Sequence, residues 1–203
     1  MRAGRRRWAI DALLAVLALS AMVWMARHTA SYEDNRAPFH VLGRLGEAVR
    51  GRDFAVMVEK VELARALHLD AGSGDPPQRR DTYGVWLVAH LRVDALQEPF
   101  RFRRAELRTG DGTLYEADDR RIDSSYLVSG VEIAPGLPER GIVVFELPRE
   151  KLAGAVLEAS RDKIRIAPDD VAEIDLGLSQ YRVDGLLRDM PDSLLLVSRY
   201  ASR

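Results

Sequence analysis

Histidine and cysteine are the residues most often used for metal binding and nucleophilic catalysis, and this chain uses them sparingly. It has four histidines, His28, His40, His68 and His90, and no cysteine. None of the histidines has a second histidine or a carboxylate at a metal-ligand spacing such as His-x-x-x-His. The absence of cysteine excludes disulfides, thiolate zinc sites and a lipid-carrying cysteine. His90 lies in a strand-like run, and we interpret it as a packed or surface side chain.

Serine and glycine motifs give no enzyme signature either. The chain has no Gly-x-Ser-x-Gly nucleophile elbow, and Ser124-Ser125 has no catalytic partner nearby in sequence. Gly110-Asp111-Gly112 fits a hairpin turn better than a loop that cradles phosphate. We therefore predict a protein that is not an enzyme, with no catalytic, cofactor-binding or metal-ligating residues.

Four aspartates close together in the sequence offer oxygen ligands of the kind that calcium prefers. They are Asp111, Asp118, Asp119 and Asp123, and they lack the spacing of an EF-hand loop. We favour a solvated loop over a calcium site. A calcium- or ligand-binding module remains the alternative function.

Four arginines in a strand-like segment form the best exposed candidate site: Arg101, Arg103, Arg104 and Arg108. If they share a face, they can bind an anionic partner such as a lipid headgroup or a wall polymer. A charged sheet face that resists aggregation explains the same residues, and we favour that interpretation.

The elements that carry these residues are predicted to be β-strands. Phe54, Val56 and Val58 alternate with less apolar side chains, which is the period of a half-buried strand. The apolar phase shifts by one residue before Val61. This shift predicts a β-bulge near Glu59-Lys60.

Further strand candidates follow, separated by turn signals. Tyr83 to Ala95 is apolar on most of both faces, as in a central strand. Asp70 to Asp81 and Asp118 to Ser125 are predicted to be surface loops. The other strand candidates are Val128 to Ile133, Gly141 to Leu147, Val156-Leu157, Ile164 to Ile166, Ala172 to Leu178 and Leu194 to Val197. Many short strands, with turn signals about 8–12 residues apart, predict an all-β sandwich. No long helix is predicted after the first thirty or so residues.

The first long apolar run, Trp8 to Ala26, is predicted to be a transmembrane helix. A helix of about 20 residues crosses the hydrocarbon core of a bilayer. Trp8 and Trp24 lie near its two ends, where tryptophan prefers the headgroup level, and Asp11 is close enough to the start to reach the interface. A signal peptide cleaved before Ala21 is the alternative, but the apolar run continues past that point, so we favour an uncleaved signal-anchor.

Charge predicts the orientation of this anchor. Arg2, Arg5, Arg6 and Arg7 precede the apolar run, whereas Arg27 and Arg36 follow it together with acids. The positive-inside rule then places the amino terminus in the cytoplasm and the rest of the chain outside. We expect a single-pass protein of the cell membrane with an extracytoplasmic domain.

The domain organisation follows from these elements. Residues 1–27 are predicted to be a basic stub and signal-anchor, and residues 28–45 a linker. Residues 46–167 are predicted to form the β-sandwich. Residues 168–203 are predicted to be a C-terminal extension that packs on the sandwich or on a partner.

The charge balance excludes one class of partner. The chain of 203 residues has a formal net charge of -1. Residues 1–36 hold six arginines and three acids, so the remainder holds 24 basic and 28 acidic residues, a net charge of -4. Nucleic-acid binding requires a basic face, so we predict no nucleic-acid partner.

From Gly46 to about Ala159, the order of short motifs resembles a bacterial extracytoplasmic immunoglobulin-like family of unknown function. A mycobacterial secreted immunoprotective antigen shares the sandwich of that family. The resemblance implies a seven-stranded immunoglobulin-like β-sandwich on an export anchor, and it implies no catalytic residues. The motifs are Gly46-Glu47-Ala48-Val49, Phe54 to Leu63, Tyr83 to Val88, Leu107, Asp111 to Glu116, Pro135-Gly136 and Val143 to Pro148.

Together these observations predict a non-enzymatic β-sandwich held in the cytoplasmic membrane by one helix. We expect it to contact another membrane or envelope protein, as an accessory subunit of a transporter or secretion complex. The apolar runs beyond Pro168 either complete the sandwich or pack against that partner.

Overall fold

The computed structural model of the chain describes residues 13–25, 39–70, 76–161 and 170–198. The chain divides into two units, residues 1–37 and 38–203. The described part of the first unit is a helix, α1, over residues 13–25, in which Trp24 is exposed. Trp8 and Asp11 lie outside the described residues. In the described parts of the chain, no helix has both the length and the apolar character needed to cross a bilayer.

The second unit is built almost entirely of β-strands, as the alternating patterns predict. Its described residues form twelve strands, one α-helix and one short 3₁₀-helix. The strands are β1 (Phe39–Arg44), β2 (Ala48–Arg50), β3 (Phe54–Asp70), β4 (Gln78–Ala95), β5 (Phe100–Arg101), β6 (Arg104–Arg108), β7 (Leu114–Glu116), β8 (Glu132–Ile133), β9 (Glu139–Leu147), β10 (Val156–Ser160), β11 (Asp170–Asp175) and β12 (Leu194–Val197). The 3₁₀-helix is Arg149–Lys151 and the α-helix, α2, is Gln180–Arg188.

These strands form two five-stranded sheets and one small ribbon. Sheet 1 has the order β1-β11-β10-β6-β7, and all of its pairs are antiparallel except β1 with β11. Sheet 2 has the order β12-β3-β4-β9, with β2 also paired to β3. The small ribbon pairs β5 with β8. The all-β prediction is therefore confirmed, although the structure has more strands than the seven that the resemblance implies.

The long hairpin of β3 and β4 organises sheet 2. Its register shifts between Val58 and Lys60, which confirms the bulge predicted from the change of apolar phase. A second shift, between Ala64 and Ala66, has no counterpart in the sequence predictions. β4 approaches β9 closely at Gly84, where a Cβ atom would lie 2.2 Å from the carbonyl oxygen of Leu147. Only glycine fits there without moving the backbone.

The main core lies between the two sheets. Alternate residues of β4, including Val85, Leu87 and Leu91, face inward and are almost fully buried. Leu107 and Leu157 face them from sheet 1. Burial of such side chains contributes about 25 cal/mol per Å² of apolar surface and is the main force holding the sheets together.

A second apolar cluster covers the outer face of sheet 2, where the sequence predicts a polar surface loop. Trp86 and Val88 of β4 are buried there beneath Ile122, Tyr126 and Leu127. The segment 118–125 is a loop with mostly exposed residues, as the sequence predicts, except that Ile122 is buried against this sheet face.

The two ends of the second unit differ. At one end, which we call the Phe39 end, β1 and β11 begin side by side and Phe54 pairs with Ala95. At the other end, β3 and β4 continue beyond the sandwich. The predicted loop Asp70 to Asp81 is accordingly too long, since β3 runs to Asp70 and β4 starts at Gln78.

The extension of β3 and β4 is joined by β12, which runs parallel to β3 with Leu194 opposite Leu67 and Val197 opposite Asp70. We call this three-stranded projection the distal ribbon; it comprises residues 66–70, 78–81 and 194–197.

The domain boundaries in the structure differ from those predicted. β1 lies inside the predicted linker 28–45, yet it pairs along its whole length with β11. β11 belongs to the predicted extension 168–203 and lies between β1 and β10 in the middle of sheet 1. The helix α2 in the same segment is absent from the predictions; it begins after Ser179, whose hydroxyl accepts a hydrogen bond from the backbone N–H of Arg182. The strand predicted at Ile164 to Ile166 lies outside the described residues.

Candidate functional site

The four candidate arginines do not form one open basic patch. Arg104 and Arg108 alternate with Glu106 on the outer face of β6, whereas Arg101 lies in the small ribbon of β5 and β8. Arg103 is exposed between these two strands. The segment therefore divides its arginines between two sheets.

The arginines on β6 are engaged by carboxylates. Arg104 contacts Glu106 at 2.6 Å, and Arg108 contacts Glu158 at 2.6 Å and also pairs with Glu173. The pKa of Arg108 is raised, first by its hydrogen bond to Glu158. These contacts agree with the charged sheet face that the sequence favours over an anion-binding patch.

The reason for these pairs is the strand register. Glu106 lies opposite Glu116 on one side and opposite Glu158 on the other, and Glu158 lies opposite Glu173. Like charges placed directly opposite each other destabilise a sheet. The side chains of Arg104 and Arg108 contact these glutamates diagonally and reduce the repulsion between the carboxylates.

The four aspartates of the calcium alternative do not converge on one point. Asp111 pairs with Lys151 and accepts a hydrogen bond from Thr109, and Lys151 holds the pKa of its carboxyl well below the ordinary value. Asp118 binds Arg121, and Asp123 accepts the backbone N–H of Ser125 at 2.8 Å. The described residues contain no group of three or more histidines, cysteines and acids that could hold a metal ion.

Two of the three histidines within the described residues make polar contacts, whereas the buried Nε2 atom of His68 has no hydrogen-bond partner. His40 Nδ1 lies 3.1 Å from Glu173, and His90 Nε2 lies 2.6 Å from Glu62. Burial and the nearby Lys60 ammonium lower the pKa of His90, although Glu62 opposes this effect. His90 is therefore a half-buried side chain on the outer face of sheet 2, as its position in the strand predicts. His28 lies outside the described residues.

Two exposed apolar surfaces lie at opposite ends of the domain, and the first belongs to the run Leu194 to Val197, which is among those that the sequence predicts to complete the sandwich or to pack against a partner. On β12, Leu194 and Leu196 turn toward the second apolar cluster, while Leu195 and Val197 are 54% and 52% exposed on the opposite face. At the Phe39 end, Phe39 itself is 59% exposed at the start of β1. The run Leu194 to Val197 is apolar at every position, so its sequence carries no signal that separates the buried from the exposed side chains.

No family model matches the chain. No curated protein matches it. Among solved structures, it is similar to the yjhA protein from Bacillus subtilis, with 12% identity over 66% of this chain and 99% of that one and a TM-score of 0.47.

Two further structures have comparable scores. A secreted protein from Mycobacterium tuberculosis, MPT63, has 16% identity over 68% of this chain and 98% of that one, with a TM-score of 0.49. An uncharacterized β-sandwich protein from Clostridium difficile has 13% identity over 68% of this chain and 95% of that one, with a TM-score of 0.39. A β-sandwich protein is thus among the similar structures, as the resemblance seen in the sequence predicts. At these identities and scores, the similarity establishes no function.

Proposed function

We propose that this protein is a non-enzymatic interaction subunit, tethered to the cell membrane by its N-terminal apolar segment, whose β-sandwich presents the distal ribbon to an envelope protein outside the cytoplasm. The observation that carries the proposal is the pair of exposed apolar side chains, Leu195 and Val197, on β12. They lie at the end of the domain opposite to Phe39, where the described part of the domain begins.

The ribbon suits a partner that contributes an extended apolar segment. In the described parts of the chain, β12 pairs with β3 alone, so its outer edge is open to another strand. Strand addition at such an edge supplies main-chain hydrogen bonds, and Leu195 and Val197 then provide the side-chain contacts. A transporter or secretion component in the same membrane is the class of partner that we expect.

The tether rests on the sequence. The helix α1 covers residues 13–25 of the apolar run Trp8 to Ala26, so spanning requires the apolar residues on either side to extend it. Nineteen helical residues would measure about 28 Å, close to the thickness of the hydrocarbon core. Resistance of the full chain to extraction by alkaline carbonate, with the domain accessible to protease only from outside the cell, tests this part of the proposal.

The partner is tested by purification from detergent-solubilised membranes. We expect the full chain to recover a specific membrane protein, and the double variant Leu195→Ser/Val197→Ser to lose it. The matched control is Leu114→Ser/Leu137→Ser, which removes two other leucines of similar exposure, 53% and 67%, and should retain the partner. Recovery of the chain alone, or equal recovery by both variants, would contradict the proposal.

The ligand-binding alternative has less support in the described residues. Three of the four aspartates, Asp111, Asp118 and Asp123, are held by Lys151, Arg121 and the backbone of Ser125 respectively. A calcium ion would have to displace these contacts before it could bind.

A further inference from the structure

The Phe39 end of the domain carries a surface cavity that combines an aromatic ring with arginines. The cavity has a volume of about 470 Å³ and lies between the start of β1 and the end of β2. Its lining residues are Phe39, Val41, Arg50, Gly51, Arg52 and Asp170. The Arg52 guanidinium lies 5.6 Å from the centre of the Phe39 ring. The ring and the arginines therefore form one continuous surface.

The charge of this surface is positive. Asp170 contacts Arg52 at 3.4 Å and offsets one of the two arginines, while Arg50 is exposed and leaves the cavity with a net charge of +1. Two further acids near this end, Asp53 and Glu98, lie 2.8 and 3.5 Å from the buried guanidinium of Arg161, which offsets one of their two negative charges.

The position of this surface along the chain matters as much as its chemistry. Residues 26–38 separate α1 from Phe39, a connection of thirteen residues. At most about 3.5 Å per residue, the connection reaches no further than about 45 Å. A surface held this close to a membrane encounters it at a high effective concentration, so a weak contact is sufficient.

We propose that the Phe39 end docks on the anionic lipid headgroups of the membrane that tethers the chain, with Phe39 at the headgroup level and Arg50 and Arg52 against lipid phosphates. Aromatic rings favour that depth, and arginine pairs with phosphate through charge-assisted hydrogen bonds. This inference rests on the proposed tether.

Docking at this end would determine where the partner-binding surface lies. β4 runs the length of the domain, from Ala95 near Phe39 to Gln78 in the distal ribbon. Eighteen residues at about 3.3 Å each span roughly 55–60 Å. In the docked domain, β4 would therefore run away from the bilayer, and Leu195 and Val197 would lie about 50 Å from the bilayer surface.

The test uses the full chain reconstituted into vesicles. Because the protein has no cysteine, a single polarity-sensitive fluorophore can be attached at His40→Cys, beside Phe39, or at Tyr181→Cys, which is 92% exposed on α2 at the other end. Quenching by a lipid-borne quencher is compared between phosphatidylcholine vesicles and vesicles that also contain phosphatidylglycerol. We expect quenching at position 40 to rise in the anionic vesicles and to fall again at high salt, with no change at position 181.

Two double variants test whether docking depends on the Phe39 end or only on the overall charge of the domain. Phe39→Ser/Arg50→Gln should reduce the docked population. The loss of Arg50 by itself should account for about a fivefold reduction. Leu114→Ser/Arg149→Gln removes the same kinds of side chain from the other end and should leave docking unchanged. Extraction of the chain by alkaline carbonate would overturn the tether and the docking together. A chain that resists extraction but shows equal quenching at positions 40 and 181 would overturn the docking alone.

Discussion

Arg121 holds a long connection onto the outer face of sheet 2. Its guanidinium lies 4.9 Å from the centre of the buried Trp86 ring. It donates to Asp118 at 2.6 Å and also pairs with Glu146 of β9. Stacking on tryptophan together with two ion pairs is an arrangement that lysine cannot reproduce, because only guanidinium is planar and forked. A residue that the sequence places in a polar loop thus joins that loop to two strands.

The pKa of Glu146 makes this contact sensitive to pH. Burial raises the pKa of Glu146, but hydrogen bonds from Thr82 and Arg121 outweigh burial and hold it below the ordinary value of 4.5. The folded state therefore favours the carboxylate. The resulting stabilisation is present above about pH 4.5 and is lost as the pH falls through the lower pKa of the folded state.

We predict that Glu146→Gln lowers the free energy of unfolding at pH 7 by about 1 kcal/mol and has a smaller effect at pH 3. Urea unfolding at the two pH values measures both. The control is Glu139→Gln, which replaces a carboxylate at the opposite end of the same strand. An equal loss of stability at both pH values for Glu146→Gln would show that its charge does not matter.

At the scale of elements, the alternation of apolar residues is a good guide to strands and a poor guide to loops. The β3 bulge follows from a phase shift that is visible between Val58 and Val61, because the pleat alternates residue by residue. The connection that contains Ile122 and Tyr126 has no period, so its apolar side chains give no sign of burial. Its role depends on the face of sheet 2 that it meets.

We predict that Ile122→Ala lowers the free energy of unfolding by about 2–4 kcal/mol, since Ile122 is fully buried against the second cluster. Leu137→Ala, at a position that is 67% exposed, should change it by less than about 0.5 kcal/mol. Urea denaturation of both variants provides the comparison. Similarly small effects for the two variants would show that Ile122 does not contribute to the second apolar cluster.

At the scale of the whole molecule, the first strand of the domain lies in sheet 1 beside β11, a strand from the C-terminal part of the chain. β1 and β11 lie about 130 residues apart in sequence, yet they pair in parallel, and His40 contacts Glu173 across them. Ala172 and Ile174 of β11 enter the main core beside Leu157. A domain boundary near residue 167 would cut through the middle of this sheet.

We predict that a chain ending after Arg161 shows no cooperative unfolding transition, because it lacks the strand between β1 and β10. A chain ending after Ser193 keeps β11 and α2 and loses only β12 and the residues beyond it. It should unfold cooperatively, at a lower urea concentration than the full chain, because Leu67 and Leu69 lose the cover of Leu196. Thermal and urea unfolding distinguish the two. A stable fold in the shorter chain would support the predicted sandwich of residues 46–167.

The sequence alone was sufficient for the β class, for most strands and for the β3 bulge, because these depend on side-chain alternation between near neighbours. The sequence also favoured a charged sheet face, over an anion-binding patch, for Arg104 and Arg108. Tertiary structure decided the rest: the pairing of β1 with β11, the burial of Ile122, and the exposure of Leu195 and Val197. These depend on which distant strands become neighbours, and local pattern contains no information about partners more than a hundred residues away.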